Sequence, residues 1–208
     1  MSSIVSRSLL SLKSSIKQFH CTSRRMSKSA LVIVAPGAEE MEAVIAIDVL
    51  RRSEVKVTVA GLVAGPIKCS RDVQVLPDVT LDKVLGNEYD AVVLPGGLGG
   101  SKALAESKEV GELLKRQEGN NKLIAAICAG PTALLAHSIG VGKSITSYPS
   151  VKDQLTSTYK YVDDKTCVMD GQLITSRGPG TAFEFALKIA EQLAGAEKAN
   201  AVAKGMLL

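Results

Sequence analysis

The chain has 208 residues, 46% hydrophobic and 22% charged, which suits one globular domain with a sizeable core; no apolar run approaches the roughly 18 residues a membrane-spanning helix needs. Its net charge of +4 is unevenly placed: Arg7, Lys13, Lys17, Arg24, Arg25 and Lys28 precede the first acid, Glu39, and removing those six from 25 leaves 19 Lys+Arg against 21 Asp+Glu. A body so balanced, without Trp and with 3% aromatics, offers neither the basic surface nor the stacking platforms of a nucleic-acid binder, so no direct nucleic-acid binding is expected.

Val5, Leu9, Leu12, Ile16 and Phe19 lay one apolar stripe along a helix, Arg7, Lys13 and Lys17 lie off it, and serine is abundant. These are the features of a mitochondrial transit peptide. Residues 1–28 therefore read as a targeting extension and residues 29–208 as a single α/β domain. A disordered basic tail and translation from Met26 are the alternatives.

Residues 30–35 form an unbroken apolar run, as expected of a parallel strand buried on both faces, and Pro36-Gly37 ends it. Residues 40–52 read as a helix, with Met41, Val44, Ile45, Ile47 and Val49 around Glu42 and Asp48. Residues 55–60 make a second strand, and residues 67–77 alternate enough for short antiparallel strands closing at Pro77. Residues 89–94 are a further strand. It runs into Pro95-Gly96-Gly97-Leu98-Gly99-Gly100, where glycines permit close backbone approach to a ligand or a neighbouring loop. A helix over 101–118 follows.

The stretch 123–136 comes next. An apolar run of strand length stops at Cys128, small Ala129 and Gly130 follow, and Pro131 opens a run of helix formers. Nucleophile elbows have this order, and proline is favoured in a helix's first turn. Cys128 is thus expected at a helix N-terminus, where the dipole and free N–H groups favour thiolate over thiol. An inert core cysteine is the ordinary alternative.

Residues 143–146 and 173–176 are later strands, with a hairpin over 158–172 turning at Asp163-Asp164 and Asp170-Gly171. Phe183, Ala186, Leu187, Ala190 and Leu193 mark a long amphipathic helix, and a short one covers 196–204. The alternation argues for a doubly wound α/β sandwich with ligand sites at the carboxyl ends of its strands. Three loops meet there by that rule: those carrying Glu42, Gly96-Gly97 and Cys128.

The four cysteines, Cys21, Cys69, Cys128 and Cys167, show no Cys-x-x-Cys spacing, so neither a disulfide framework nor a metal site is expected. The glycine loop lacks both G-x-G-x-x-G spacing and the Gly-Lys-[ST] of a phosphate loop, so no nucleotide cofactor is read. His137 lies nine residues past Cys128, about 13 Å along a helix, too far to serve the sulfur as a base. It is assigned instead to carbonyls at its own helix's C-terminus. That disfavours protease chemistry and leaves Glu42, whose carboxyl in apolar surroundings would hold a proton and donate to the thiolate. On spacing alone, an ordinary first-turn carboxylate fits Glu42 better.

Four ordered motifs change that weighing: Gly37-Ala38-Glu39-Glu40-Met41-Glu42, Leu94-Pro95-Gly96-Gly97, Ala125-Ala126-Ile127-Cys128-Ala129-Gly130-Pro131 and Thr175-Ser176-Arg177-Gly178-Pro179-Gly180-Thr181. From about Ser29 onward the chain closely resembles the Parkinson-disease protein seven family, the protein deglycase branch of the ThiJ/PfpI superfamily. The resemblance implies a flavodoxin-like, mostly parallel sheet sandwiched by helices, in a homodimer formed partly through the helix bearing Met41 and Arg52. It also implies Cys128 as an oxidisable nucleophile with protonated Glu42 beside it. Amides of Gly97 and Ala129 would form an oxyanion pocket over Gly96, lined or buttressed by Arg71, Arg177 and Pro179.

Many relatives carry histidine beside the cysteine where this chain has Tyr148, a poor base at neutral pH. Two functions follow as expectations. One is cofactor-free turnover of reactive carbonyls and glycated amines or thiols, methylglyoxal to lactate. The other is a redox sensor and redox-dependent chaperone for client proteins, with oxidation centred on Cys128 and a secondary site at Cys69. The mitochondrion and cytoplasm are the expected locations, with the nucleus a further destination.

Overall fold

Alternate residues of the first strand face two different cores. In β1 (Ser29–Val34), Ala30, Val32 and Val34 point to one side of the sheet, while Leu31 and Ile33 point to the other, all of them fully buried. A strand with no solvent face has no reason to alternate polar and apolar residues, which is why the sequence there is one apolar run. The computed structural model describes residues 27–208. The targeting extension and the Met26 start fall outside the described residues, apart from Ser27 and Lys28.

After β1 come α1 (Glu40–Arg52), β2 (Lys56–Gly61), the small antiparallel pair β3 (Ile67–Lys68) and β4 (Gln74–Val75), then β5 (Val79–Thr80) and β6 (Ala91–Leu94). Next are α2 (Leu98–Glu106), α3 (Lys108–Gly119), β7 (Leu123–Ile127), α4 (Pro131–Ala136), β8 (Ser144–Ile145), α5 (Lys152–Leu155) and β9 (Lys160–Tyr161). The chain closes with β10 (Cys167–Asp170), β11 (Leu173–Ser176), α6 (Ala182–Ala194) and α7 (Ala196–Gly205). The main sheet runs β10-β11-β7-β6-β1-β2-β5, parallel throughout except for β10 against β11. Phe185, Ala186 and Ile189 of α6 and Ala46 and Val49 of α1 cover one face; Leu104, Leu114 and Leu134 of α2, α3 and α4 cover the other. This is the flavodoxin-like doubly wound sandwich. Its strand order reverses between β1 and β6, so the crevice beyond their carboxyl ends is where such a sheet binds ligands.

Four expectations need correction. The helix read over 101–118 is two helices, because Ser107 takes an extended conformation (ψ 118°) and its hydroxyl caps α3 by accepting from Val110 N–H at 3.3 Å. Leu98-Gly99-Gly100 belongs to the first turn of α2, with Ser101 N–H donating to Gly97 O at 2.8 Å. The hairpin over 158–172 does not form: β9 pairs in parallel with β8 in a separate two-stranded sheet. The antiparallel turn is the shorter β10–β11 one, around Gly171 at φ +62°. Finally, the His137 ring reaches Leu104 O of α2 at 2.9 Å rather than the end of its own helix.

Candidate active site

Cys128 stands where β7 ends, at φ +63°, a left-handed backbone that L residues other than glycine adopt only when neighbours hold them there. Both sides of its peptide are held. Its N–H donates to Ser176 O at 3.0 Å, and its carbonyl accepts from Tyr148 N–H at 2.9 Å. The bend turns the side chain off the end of the sheet. Helix α4 is only six residues long and begins three residues later at Pro131, so the expected helix-dipole support is replaced by neighbouring loop amides, those of Gly97 and Ala129, which favour the thiolate.

The partner comes from α1. Glu42 is fully buried, and its Oε2 accepts from Gly96 N–H at 2.7 Å. Oε1 has no well-formed hydrogen bond, and the carboxyl's other polar neighbour is the Cys128 thiol. Glycine at 96 is what lets three segments meet. A Cβ there would stand 2.5 Å from Cys128 Cβ, 2.7 Å from Glu42 Oε2 and 2.8 Å from Ile127 O. Gly97 adopts φ +81°, which aims its amide at the sulfur, and a Cβ there would lie 2.3 Å from Gly37 O.

Burial pushes the Glu42 carboxyl up to about 7, helped by the negative charge of Glu39 and opposed by the Gly96 amide and the thiol. Burial likewise pushes the Cys128 thiol up, to about 12; the Glu42 charge adds to this, and the Gly97 and Ala129 amides pull against it. The expectation of a simply depressed thiol is thus not met. Two negative charges cannot sit together here, so the pair holds one proton between them and behaves as a unit. With Glu42 ionised the thiol stays protonated. With Glu42 protonated, both its negative charge and its hold on the thiol's hydrogen are gone, and the sulfur ionises more easily.

The thiol opens into a cleft of about 520 Å³. Of the expected pocket residues, Gly97, Ala129, Arg71, Tyr148 and Pro179 line it, and Gly96 lies beneath the thiol. Arg177 lies outside that lining: its guanidinium donates to Asp163 O and its amide to Thr181 Oγ1 at 3.2 Å, bracing the loops behind Pro179. Tyr148 is 46% exposed at the cleft's edge. Cys69 is buried, and burial together with Glu40 and Glu39 pushes its thiol up, which disfavours the thiolate that oxidation there needs. The cleft also uses residues the sequence did not single out, Glu39 and Ser70. Ser70 Oγ donates to Glu39 Oε2 at 2.6 Å across 31 positions of chain, and no local spacing signals such a contact.

Comparison with known proteins gives one consistent answer. Residues 28–192 match the DJ-1/PfpI family. The chain is 67% identical over 184 residues to protein dj-1beta of Drosophila melanogaster, covering 88% of this chain and 98% of that one. It is 49% identical over 183 residues to the glutathione-independent glyoxalase DJR-1.2 of Caenorhabditis elegans, covering 87% and 97%. The crystal structure of Drosophila DJ-1beta superposes with a TM-score of 0.87 over 88% of this chain and 99% of that chain.

Proposed function

The chain belongs to the DJ-1/PfpI family, and from that premise we propose that it converts small reactive carbonyls without a cofactor, methylglyoxal plus water giving lactate. The observation that carries the proposal is the Cys128–Glu42 pair, a thiol and a fully buried carboxyl meeting over Gly96 beneath a cleft of about 520 Å³. The glyoxalase name of the Caenorhabditis elegans relative supports the same chemistry.

The thiolate attacks the aldehyde carbon, the C=O π pair goes to oxygen, and the resulting alkoxide takes a proton to give a hemithioacetal. Gly97 and Ala129 amides, already aimed at the sulfur, stabilise the oxygen's charge. The carboxylate left after Glu42 gives up its proton removes the hydrogen from the former aldehyde carbon and returns it to the neighbouring carbon. One carbon is oxidised and the other reduced, so no external oxidant is needed. Water then splits the thioester, releasing lactate and restoring the thiol. Adducts of the same aldehyde on amines or thiols enter once they have released the amine or thiol and restored the aldehyde C=O. Cys128→Ala is expected to abolish glutathione-free lactate formation; an unchanged rate would sink the mechanism.

A second reading is favoured by the same thiol and by Tyr148 in place of a base. Under peroxide Cys128 is oxidised stepwise to the sulfinic acid, each step reducing one peroxide to water, with Glu42 donating to the product oxygens. The expected mark is a +32 Da species confined to the Cys128 peptide, absent in Cys128→Ser and altered in Glu42→Gln. Chaperoning of client proteins would follow that oxidation. We also propose a homodimer through α1, whose outer face leaves Met41 and Val44 half exposed. A sedimentation shift to monomer in Val44→Glu is the expected result. The localisation reading is tested by tagging the chain with and without residues 1–28, which are expected to carry it to mitochondria.

A further inference from the structure

Beside the cleft lies a second hollow, of about 370 Å³, between α2, α4 and α5. Leu98 and Ala129 belong to the linings of both. Ala129 supplies one of the two amides on the Cys128 sulfur, so the hollow begins one residue from the reacting atom. Leu98, the first residue of α2 and 70% exposed, is the partition between the two spaces.

The hollow has the composition of a site for an aliphatic chain. Ala105, Leu135, Ala136 and Val151 make most of its other walls apolar, Thr132 among them turns its hydroxyl to Ala129 O at 2.7 Å, and Lys102 and Gln154 stand exposed at its mouth. One polar group within the wall is unaccounted for: Ser101 is 1% exposed, and its hydroxyl is buried without a hydrogen-bond partner. A helical serine ordinarily returns its hydroxyl to a backbone carbonyl of its own helix, and this one does not. Apolar walls that adjoin the cleft at Leu98 and Ala129 are the arrangement expected where an aliphatic group next to the reacting carbon is held. The carbonyl chemistry above leaves the hollow unused, since the methyl group of methylglyoxal needs no room beyond the cleft.

We propose that this hollow is a second substrate subsite, taking an unbranched aliphatic substituent on the carbonyl carbon, so that the preferred substrates are 2-oxoaldehydes longer than methylglyoxal. The inference rests on the carbonyl reading and adds a substrate class to it. Leu98 turns aside to admit the substituent.

The test separates the subsite from the chemistry. Cys128 of the full chain is alkylated with N-methyl, N-ethyl, N-propyl and N-butyl iodoacetamide, the rates read by mass spectrometry of its peptide and divided by those of glutathione. Burial of each methylene is worth about fourfold in rate, so a rising series is expected. Filling the hollow with Ala105→Phe, or at its outer end with Ala136→Phe, is expected to flatten that series. Thermal unfolding checks that each variant is folded. No chain-length dependence in the wild type, or an undiminished slope in both folded variants, overturns the subsite. Turnover of methylglyoxal and of 2-oxohexanal is followed in parallel, with kcat/KM expected to be at least tenfold higher for the longer aldehyde. A rising alkylation series with neither aldehyde converted would overturn the carbonyl reading and leave the hollow as an aliphatic binding site. Conversion of methylglyoxal without a rising series would do the reverse.

Discussion

Two carboxyl groups at opposite ends of the same sheet have opposite fates. Asp90, just before β6, faces the amino ends of the strands. It accepts from Lys28 Nζ at 3.0 Å, Lys122 Nζ at 3.1 Å and Ser29 N–H at 3.0 Å. Burial pushes Asp90 up, but the Ser29 amide and the two lysines outweigh it and hold the group down at about 2. Glu42, at the carboxyl ends, is more deeply buried and has one amide and a thiol for company; it rises to about 7. Burial acts in the same direction at both ends. What differs is whether cations and donors were placed to compensate it. At the amino end they were, and the acid is a staple. At the carboxyl end they were withheld, and the acid keeps a proton that can be handed on.

The sharpest way to break this contrast is to block the convergence. Gly96→Ala forces a Cβ to within 2.5 Å of Cys128 Cβ and 2.7 Å of Glu42 Oε2, so one of them must move. Displacement on the order of 1 Å is expected to lower methylglyoxal turnover about 100-fold, read as kcat/KM.

Glu42→Gln tests the uncompensated end. In the wild type the folded state holds this proton more tightly than the unfolded state, whose carboxyl has the ordinary value of 4.5. Stability is therefore greatest below about pH 4.5 and falls as pH rises toward 7, by about 3 kcal/mol from this group. Urea unfolding at pH 5 and pH 8 is expected to show that fall in the wild type and not in Glu42→Gln. In the same variant, the thiolate absorbance near 240 nm is expected to develop at lower pH than in the wild type, whose thiol is held up at about 12, because the carboxylate's charge and its hydrogen bond from the thiol have both gone.

Asp90→Asn is the mirror experiment. A lowered carboxyl contributes stability above its unfolded value of 3.8 and loses it as pH falls toward about 2. The variant is expected to be about 2 kcal/mol less stable at pH 7, with the difference closing in acid. Its Cys128 alkylation rate is expected to match the wild type's, since the two ends are not in contact. The smallest effect is expected from Tyr148→Phe. The backbone N–H of Tyr148, not its hydroxyl, holds Cys128 O, so stability should change by less than about 0.5 kcal/mol. Loss of turnover in this variant would show that the phenol takes part in the chemistry.

How far the site was legible follows from the distance over which each feature acts. Cys128 was readable because its setting is local: apolar strand, small residues, Pro131. Glu42 was not readable from spacing, since an acid in a helix's first turn is ordinary. Only the 54 positions separating it from Gly96, closed to 2.7 Å in the fold, make it a partner. Ser107 as a cap was in plain view, yet continuous Leu104, Val110 and Leu114 masked the break, because periodicity does not report one extended residue. The hairpin was misread for a related reason. Strand propensity at Lys160 and Tyr161 is local, but the choice of β8 as partner depends on packing that sequence order does not encode.

By itself the sequence determined the alternation of buried strands and amphipathic helices, the placing of glycines where loops converge, and the thiol at a bend. These are short-range consequences of hydrophobic period and backbone sterics. The tertiary structure alone decided how Glu42 comes to be buried against Gly96 beside the thiol, which way burial moves both groups, and that a second hollow opens beside them. Each of these depends on segments far apart in the chain being buried together, where removal of water makes one charge tolerable and two not.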